Sequence, residues 1–442
     1  MAKKERQQVL KLTYYLVALI IAGAVLRLYT LGLNSLWLDE ASTYFISSQS
    51  FSDIWKSMIG GEFNPPLFYW MEHIILWFGN SEILLRLVPA IFGILTIPVF
   101  YFIGKEFLNE KIGIVMSTLA TFSPFLILYS QEARAYSAML FFVSLAFLFY
   151  LKNNRWILFG IVSSIAMWIH FYSIVVIAVL ILIHILLYRK KEIMVGIGVI
   201  IFLCAPLFYE GIKLFLMRTS GEPSFGMKGW DLIINTLNQI SGFNIVATLL
   251  FIVIAIIGLL FIKNKSKSIM LCATIISIMS VSFILSYKMP MMPRYLIILT
   301  PFFYLAVSSI FNKIKTNTVI CAGLAILVLT GTPFLCSYYT QYTKDDWRGF
   351  GNTLQKYTND GDNVIIVPGY INQPLNYYYD NATDKTTEIF VNNVEDLKGA
   401  KGWVVLTGDA TTEEIQWLEQ NAKMIKQNGG IYLLNLQSPS LL

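Results

Sequence analysis

Apolar runs of membrane-spanning length recur through most of this chain, and they limit its fold more than any other feature. Of its 442 residues, 56% are hydrophobic and only 14% are charged, and the mean hydropathy is +0.61. A helix needs about 20 residues to cross the roughly 30 Å of hydrocarbon in a bilayer. Soluble domains carry many more charges, so the sequence predicts a polytopic α-helical membrane protein.

The lengths of the apolar runs predict about eleven transmembrane helices, within a range of roughly 10–13. Residues 64–79 are also apolar, but only about 13 residues follow Pro66, so this run is interpreted as an interfacial or re-entrant helix. The predicted spans lie near residues 10–30, 83–104, 112–129, 135–151, 156–169, 173–188, 193–209, 244–262, 269–286, 294–311 and 318–336.

Short basic links between these runs orient the bundle, because lysine and arginine are enriched in cytoplasmic loops. With the basic N-terminus, the cytoplasmic links are residues 105–111, 152–155, 189–191, 263–267 and 313–315. The protein is therefore expected in the plasma membrane, with its N-terminus in the cytoplasm. The predicted outer segments are residues 31–82, 130–136, 170–173, 210–243, 287–293 and the tail beyond Cys336.

The last hundred or so residues differ in character from the rest of the chain. Strand-length apolar runs such as "NVIIVPG" and "GWVVLTG" alternate with helical patterns near residues 346–358 and 411–423. The sequence thus predicts a membrane module over residues 1–336 and an extracytoplasmic α/β domain over residues 337–442. The domain has no glycine-rich nucleotide loop, and a role as a scaffold or lid is favoured for it. The sequon at Asn381 is assigned no function.

The predicted topology gathers unusual polar residues on the outer side of the membrane. Charged groups at membrane depth are costly unless they face a cavity or a partner, which makes them candidates for a functional site. The alternative for each one alone is that it marks a helix end or snorkels to the headgroups. The gathered residues are Asp39, Glu40, Glu132, Arg134, His170, Lys288 and Arg294.

Several segments together resemble the membrane module of the glycosyltransferase family 39 group. They are "LRLYTLGLNSLWLDEASTY", the stretch that begins "NPPLFYWMEH", "SPFLILYSQEARAYSAMLF" and "MWIHFYS", with a fainter similarity at "MPRYL" and "KDDWRGF". This group includes protein O-mannosyltransferases and the aminoarabinose transferases of bacteria and archaea. The resemblance covers roughly the first 190 residues. It implies the GT-C fold and the transfer of a hexose or pentose from a dolichyl- or undecaprenyl-phosphate carrier outside the cytoplasm.

In the family, the acidic pair of the first outer loop is catalytic, which here implies Asp39 and Glu40. A carboxylate can deprotonate the acceptor, and we assign that role to Asp39. Adjacent residues do not share a helix face, so Glu40 is expected to orient the acceptor or support the loop. The alternative is a simple helix N-terminal cap, which explains one of the two carboxylates.

Glu132 resembles the second acidic position of these enzymes, which holds a metal or fixes the acceptor. A divalent cation cofactor is left open, and its ligands would be Asp39 and Glu132. Arg134 either pairs with Glu132 or contacts the carrier phosphate. His170 lies at the break between two spans, where it either approaches the site or packs in the core.

Three further basic residues are candidates for the carrier phosphate, since cationic donors stabilise the charge of a departing phosphate. Arg294 and Lys288 lie at an outer helix end, where snorkelling would look the same in sequence. Arg86 lies near the outer end of the second span.

A flippase or transporter of lipid-linked sugars is the alternative function, and a catalytically silent scaffold is a third. Transporters place charged sites near the midplane between repeated halves, and the sequence has no convincing internal repeat. The transferase reading predicts three kinds of partner: a polyprenyl-phosphate sugar donor, a lipid, glycan or protein acceptor, and membrane lipids. No nucleic-acid partner is expected.

Overall fold

The computed structural model describes residues 2–62, 64–188, 191–223, 225–379 and 386–436, so the sequon at Asn381 lies outside it. The chain divides into two compact units. The bundle unit comprises Met1–Tyr29, Gln49–Gly79 and Leu84–Ser337. The sheet unit comprises Thr30–Ser48, Asn80–Ile83 and Tyr338–Leu442. Two short pieces of the first outer loop therefore fold with the C-terminal residues, which the predicted division into 1–336 and 337–442 did not include.

The bundle unit consists of helices, with a π-helical turn at His184–Tyr188 and 3₁₀ turns at Pro293–Leu299 and Ile310–Asn312. Its helices are α1 (Ala2–Leu28), α3 (Phe51–Ile59), α4 (Pro66–Leu76), α5 (Glu82–Phe107), α6 (Glu110–Phe122), α7 (Pro124–Ser130), α8 (Tyr136–Lys152), α9 (Trp156–Ile169), α10 (Ser173–Ile183), α11 (Ile193–Thr219), α12 (Gly229–Ile240), α13 (Ile245–Phe261), α14 (Lys265–Leu285), α15 (Thr300–Ser309), α16 (Asn317–Leu329) and α17 (Thr332–Thr340). The last residues of α17 and the first two of α5 belong to the sheet unit.

The helices agree with the predicted set of spans. Among the described residues, five helices are long and apolar enough to cross a membrane, and three bent pairs raise this number to eight. Three shorter apolar helices, α8, α9 and α10 with its π-helical turn, lie at the remaining predicted positions. The predicted polytopic membrane fold of about eleven spans is therefore confirmed at this level.

Two features of the bundle differ from the expected pattern of spans and loops. Helix α11 continues to Thr219, well past the predicted end at residue 209. Helix α12 occupies part of a predicted outer loop and meets α13 at 88°. Its buried residues include Leu232, Ile233 and Ile240, spaced as on one face of an amphipathic helix. The hydropathy pattern did not predict this helix, because the segment is too polar to span a membrane.

Close helix packing at small residues builds the bundle, as expected where lipid offers no hydrophobic driving force. A Cβ atom on Gly258 of α13 would lie 2.0 Å from the carbonyl oxygen of Ala306 on α15. Gly104 of α5 and Gly113 of α6 also pack closely, since a Cβ on Gly104 would lie 2.7 Å from the backbone nitrogen of Gly113. Such contacts require glycine.

Two buried polar side chains cap the C-terminal ends of neighbouring helices. The Arg27 guanidinium donates to the carbonyl of Ala120 at 2.9 Å and to that of Thr121 at 3.3 Å, in the last turn of α6. The Gln131 amide donates to the carbonyls of Arg27 at 3.0 Å and Tyr29 at 2.7 Å, at the end of α1. These donors satisfy carbonyls that have no partner within their own helix.

The sheet unit contains α2 (Leu38–Ser47) and a five-stranded sheet with its helices. The strands are β1 (Asn363–Val367), β2 (Thr387–Phe390), β3 (Gly402–Thr407), β4 (Lys423–Asn428) and β5 (Ile431–Leu436), in the order β2-β1-β3-β5-β4. The helices are α18 (Trp347–Tyr357), α19 (Asn372–Tyr378), α20 (Val394–Leu397) and α21 (Thr412–Asn421). Strand β1 pairs in parallel with β2 and β3, and β5 pairs antiparallel with β3 and β4.

The predicted α/β character of this unit is confirmed. Alternate residues of the central strands face two apolar clusters, one around Ile366 and Phe350 and the other around Ile365 and Val404. The strand that the sequence did not reveal is β4, which lies at the sheet edge and consists mainly of exposed polar residues.

Candidate functional site

The acidic pair lies in the first turn of α2, and the two carboxylates have different environments. Glu40 is fully buried, with 0% of its surface exposed. Its Oε2 accepts from the Lys344 ammonium at 2.9 Å and, more weakly, from the Trp37 backbone N–H at 3.5 Å. The Lys344 nitrogen also lies 5.7 Å from the centre of the Trp37 ring. Glu40 thus accepts a hydrogen bond from the backbone at the N-terminus of its own helix and forms an ion pair with a lysine of the same unit.

Asp39 is partly exposed, in contrast to its neighbour. Its backbone carbonyl accepts from the Thr43 hydroxyl at 3.1 Å, a bond that stabilises the first turn of α2. Consecutive positions of a helix point in different directions, and burial separates this pair accordingly.

The residues around the acidic pair are held by further contacts inside the sheet unit. The Arg348 guanidinium donates to Glu82 Oε1 at 2.7 Å and to the Gly32 carbonyl at 3.1 Å. The Tyr378 hydroxyl donates to the same Glu82 oxygen at 2.8 Å and accepts from the Leu36 backbone N–H at 2.8 Å. Burial raises the pKa of Tyr378, and the Glu82 charge raises it further, so the hydroxyl stays protonated as a donor.

In the bundle unit, three of the predicted site residues, two arginines and a histidine, come together around one tyrosine. Tyr136 is 1% exposed, and the guanidinium carbons of Arg134 and Arg294 lie 6.0 Å and 5.9 Å from its ring centre. The rings of His170 and Tyr295 lie 6.0 Å from that of Tyr136 and 5.8 Å from each other. These five residues are called the arginine–tyrosine cluster below.

Breaks between helices bring the members of this cluster together. Arg134 lies in the non-helical turn between α7 and α8, His170 ends α9, and Arg294 lies in the 3₁₀ turn that Pro293 begins. Glu132 is 7% exposed in the first of these turns, and its backbone carbonyl accepts from the Arg134 N–H at 2.7 Å. The Glu132 carboxylate and the Arg294 guanidinium both act electrostatically on Tyr129.

His170 lies in the loop between α9 and α10 and is a neutral imidazole. Its Nδ1 accepts from the Tyr172 backbone N–H at 3.2 Å, which leaves the proton on Nε2. Burial lowers the pKa of His170 to about 3, and the nearby Arg134 charge acts in the same direction. The histidine is therefore a hydrogen-bond donor in a basic environment.

The other two predicted phosphate ligands lie elsewhere in the bundle unit. Arg86 is 2% exposed, on the buried side of α5. Lys288 is exposed in the turn that follows α14, where its backbone N–H donates to the Leu285 carbonyl at 2.9 Å. The structure does not bring Lys288 into the arginine–tyrosine cluster.

A polar group that the sequence reasoning missed lies at the start of α4. The Tyr69 hydroxyl and the Asn64 amide both donate to Glu62 Oε1, each at 2.9 Å. Burial raises the pKa of Tyr69 well above its usual value, and the Glu62 charge adds to this rise. The Arg134 charge also acts on Tyr69, and Glu62 acts on Arg218 of α11. The sequence feature that could have indicated this group is the Glu62 carboxylate just before the Pro65-Pro66 pair.

The acidic residues offer poor support for a metal site. Among the described residues, no three His, Cys, Asp or Glu side chains form a group that could hold a metal ion. Asp39 belongs to the sheet unit and Glu132 to the bundle unit. The described residues of either unit therefore do not supply the ligand set that a divalent cation takes.

One protein-family model and several solved structures are similar to this chain. The family model described as dolichyl-phosphate-mannose-protein mannosyltransferase matches residues 64–209, which include Arg86, Glu132, Arg134 and His170. No curated protein matches the sequence significantly.

Solved structures with similar folds cover nearly the whole chain. ArnT from Cupriavidus metallidurans, solved bound to undecaprenyl phosphate, matches with a TM-score of 0.66 at 12% identity, over 96% of this chain and 98% of ArnT. The oligosaccharyltransferase of Archaeoglobus fulgidus, solved with Zn and sulfate, matches with a TM-score of 0.55 at 12% identity, over 96% of this chain and 73% of that one. The chain therefore has the GT-C fold, and its residues 64–209 are similar to the dolichyl-phosphate-mannose-protein mannosyltransferase family.

Proposed function

We propose that this protein is a membrane glycosyltransferase that moves one hexose or pentose from a polyprenyl-phosphate carrier to an acceptor on the extracytoplasmic side. The family similarity of residues 64–209 and the fold shared with ArnT support glycosyl transfer. ArnT was solved with undecaprenyl phosphate, which supports a carrier of that class. The basic links of the sequence support a cytoplasmic N-terminus.

The observation that carries this proposal is the meeting of Arg134 and Arg294 at the buried Tyr136 ring. Both guanidinium carbons lie within 6.0 Å of one ring centre, so both cations would attract an anion beside that ring. Arginine also donates to phosphate through two parallel N–H groups. We assign these two residues to the carrier phosphate, with the neutral His170 as a further donor.

The acceptor proton goes to Asp39 in this proposal. Glu40 is buried and bound to Lys344, so it is poorly available for proton transfer. Asp39 is partly exposed in the same helical turn and is the better base.

The proposed reaction needs only the donor and the acceptor. The acceptor oxygen or nitrogen attacks the anomeric carbon of the sugar and loses its proton to Asp39, while the bond from that carbon to the phosphate oxygen breaks. The polyprenyl phosphate leaves with the bond's electron pair, and arginine donors stabilise its added charge. The products are a glycosylated acceptor and the free carrier.

The direct test uses the purified protein in lipid nanodiscs with a radiolabelled polyprenyl-phosphate hexose or pentose and a mixture of lipid, glycan and peptide acceptors. We expect label to move from the carrier to an acceptor. Translocation of intact donor in sealed vesicles, with no transfer in either system, would instead identify a transporter of the same lipid.

A further inference from the structure

The segment Lys344–Phe350, "KDDWRGF", is a compact anchor at the start of α18. Asp346 accepts from the Gly349 N–H at 2.9 Å and caps the helix, and Asp345 accepts from the Gly430 N–H at 3.1 Å. Trp347 and Phe350 are 4% and 1% exposed in the core of the sheet unit. These contacts hold the backbone of this segment in place without any contribution from its two basic side chains.

These two basic side chains reach opposite ends of the first outer loop. Lys344 binds Glu40 in α2, and Arg348 binds Glu82 at the end of the loop. The Arg348 backbone N–H also donates to the Ser35 hydroxyl at 3.1 Å, and the Thr343 N–H donates to the Asn34 side chain at 3.0 Å. One short segment thus holds the residues that precede α2 as well as its first turn.

The ion pair of Lys344 is the contact nearest to the proposed base. The side chains of Lys344 and Glu40 are 13% and 0% exposed, so the pair is shielded from water. A buried charge pair has a narrow range of acceptable geometries, because an ion that loses its partner there is poorly compensated. Glu40 is covalently adjacent to Asp39, so a fixed Glu40 fixes the backbone that carries Asp39.

We propose that Lys344 is a positioning residue for sugar transfer, which holds the first turn of α2 through Glu40 and Trp37 and thereby orients the Asp39 carboxylate. The inference rests on the proposed function for its catalytic consequence. It gives the C-terminal domain an indirect part in catalysis through the position of α2, in place of the passive scaffold or lid that its sequence favours.

The test compares Lys344→Met and Lys344→Arg with Lys398→Met in the full-length protein. Lys398 is the matched control, because it pairs with Glu395 in the same unit while both side chains are more than half exposed. We expect Lys344→Met to lower kcat about tenfold or more, since misplaced catalytic groups are that costly. The KM for the donor should stay near its original value, and Lys344→Arg should recover much of kcat.

A second measurement makes the result independent of turnover. Hydrogen–deuterium exchange should speed up for amides of α2 in Lys344→Met, while β1 and β3 keep their protection. Lys398→Met should change neither. If the unmodified protein transfers no sugar, the proposed function fails, yet exchange still reports whether Lys344 holds α2.

The double variant Glu40→Gln/Lys344→Met separates positioning from stability. Removing both charges avoids an uncompensated buried ion, so thermal stability should largely return while kcat stays low. Full recovery of kcat together with stability would overturn the proposal. So would an unchanged kcat per folded molecule in Lys344→Met, or unchanged exchange in α2.

Discussion

Arg294 places its guanidinium carbon 5.9 Å from the ring centre of Tyr136, a residue far away in the sequence and almost completely buried. Arg134 approaches the same ring to 6.0 Å. A cation near an aromatic face is stabilised by the ring's quadrupole, more strongly when water is excluded. The buried ring therefore stabilises both cations, and both would attract an anionic ligand beside it.

Arg294→Ala should weaken binding of the polyprenyl-phosphate donor and slow transfer, because the phosphate loses a charge-assisted donor. Lys288→Ala removes an exposed charge outside the arginine–tyrosine cluster, and its effect should be much smaller. Equilibrium binding of the donor in nanodiscs measures both. Equal losses for the two variants would indicate general attraction to headgroups, and unchanged affinity in Arg294→Ala would rule out its phosphate role.

Asp39→Asn should lower transfer by about a hundredfold or more, because asparagine keeps the size of the side chain but cannot accept the proton. Donor binding should survive, since the base acts on the acceptor. The assay measures transfer and lipid binding in the same folded preparation. Transfer near the original rate would move the base to another carboxylate, of which Glu40, Glu132 and Glu62 are the candidates.

Glu40→Gln should act mainly on stability. The substitution leaves the Lys344 ammonium, 13% exposed, without its carboxylate partner. Breaking a buried pair from one side costs about 3 kcal/mol, so the sheet unit should melt earlier in a thermal scan. The catalytic rate per folded molecule should fall less than in Asp39→Asn. A rate loss as large as that of Asp39→Asn with unchanged melting would make Glu40 the base.

Gly258→Ala should destabilise the bundle, because the new Cβ would lie 2.0 Å from the Ala306 carbonyl oxygen. Overpacking of this kind costs roughly 1–3 kcal/mol. Gly198→Ala is the control, since an added Cβ there meets nothing within 4 Å. Thermal unfolding in detergent should show a lower midpoint for Gly258→Ala alone. Equal midpoints would contradict the close contact of α13 with α15.

Single cysteines at Ser52 and Lys398 should both react with a membrane-impermeant maleimide in intact cells, because the predicted topology places both segments outside. Asn154→Cys lies in a predicted cytoplasmic link and should react only after permeabilisation. All three sites are exposed in the structure. The four native cysteines are replaced first. Labelling of only one of the two outer sites would contradict the proposed sidedness.

Much of this architecture could be predicted from the sequence, because few backbone conformations are stable in the hydrocarbon of a bilayer. Backbone groups in hydrocarbon must be satisfied within a helix, so run length and hydropathy located the spans near their observed positions. The bends were less predictable, as at Pro124, where α6 and α7 meet at 58°. Helix α12 was missed because an amphipathic helix that lies beside the bundle has no long apolar run.

The sequence by itself determined the membrane fold, the C-terminal α/β domain and a short set of polar candidates, since hydropathy and periodicity are local properties. Tertiary structure decided which candidates meet, because contacts between distant segments follow from packing. It brought Arg134, His170 and Arg294 to Tyr136 and left Lys288 outside. It also distinguished two adjacent carboxylates: only folding buries Glu40 against Lys344, from the far end of the chain, and leaves Asp39 partly exposed.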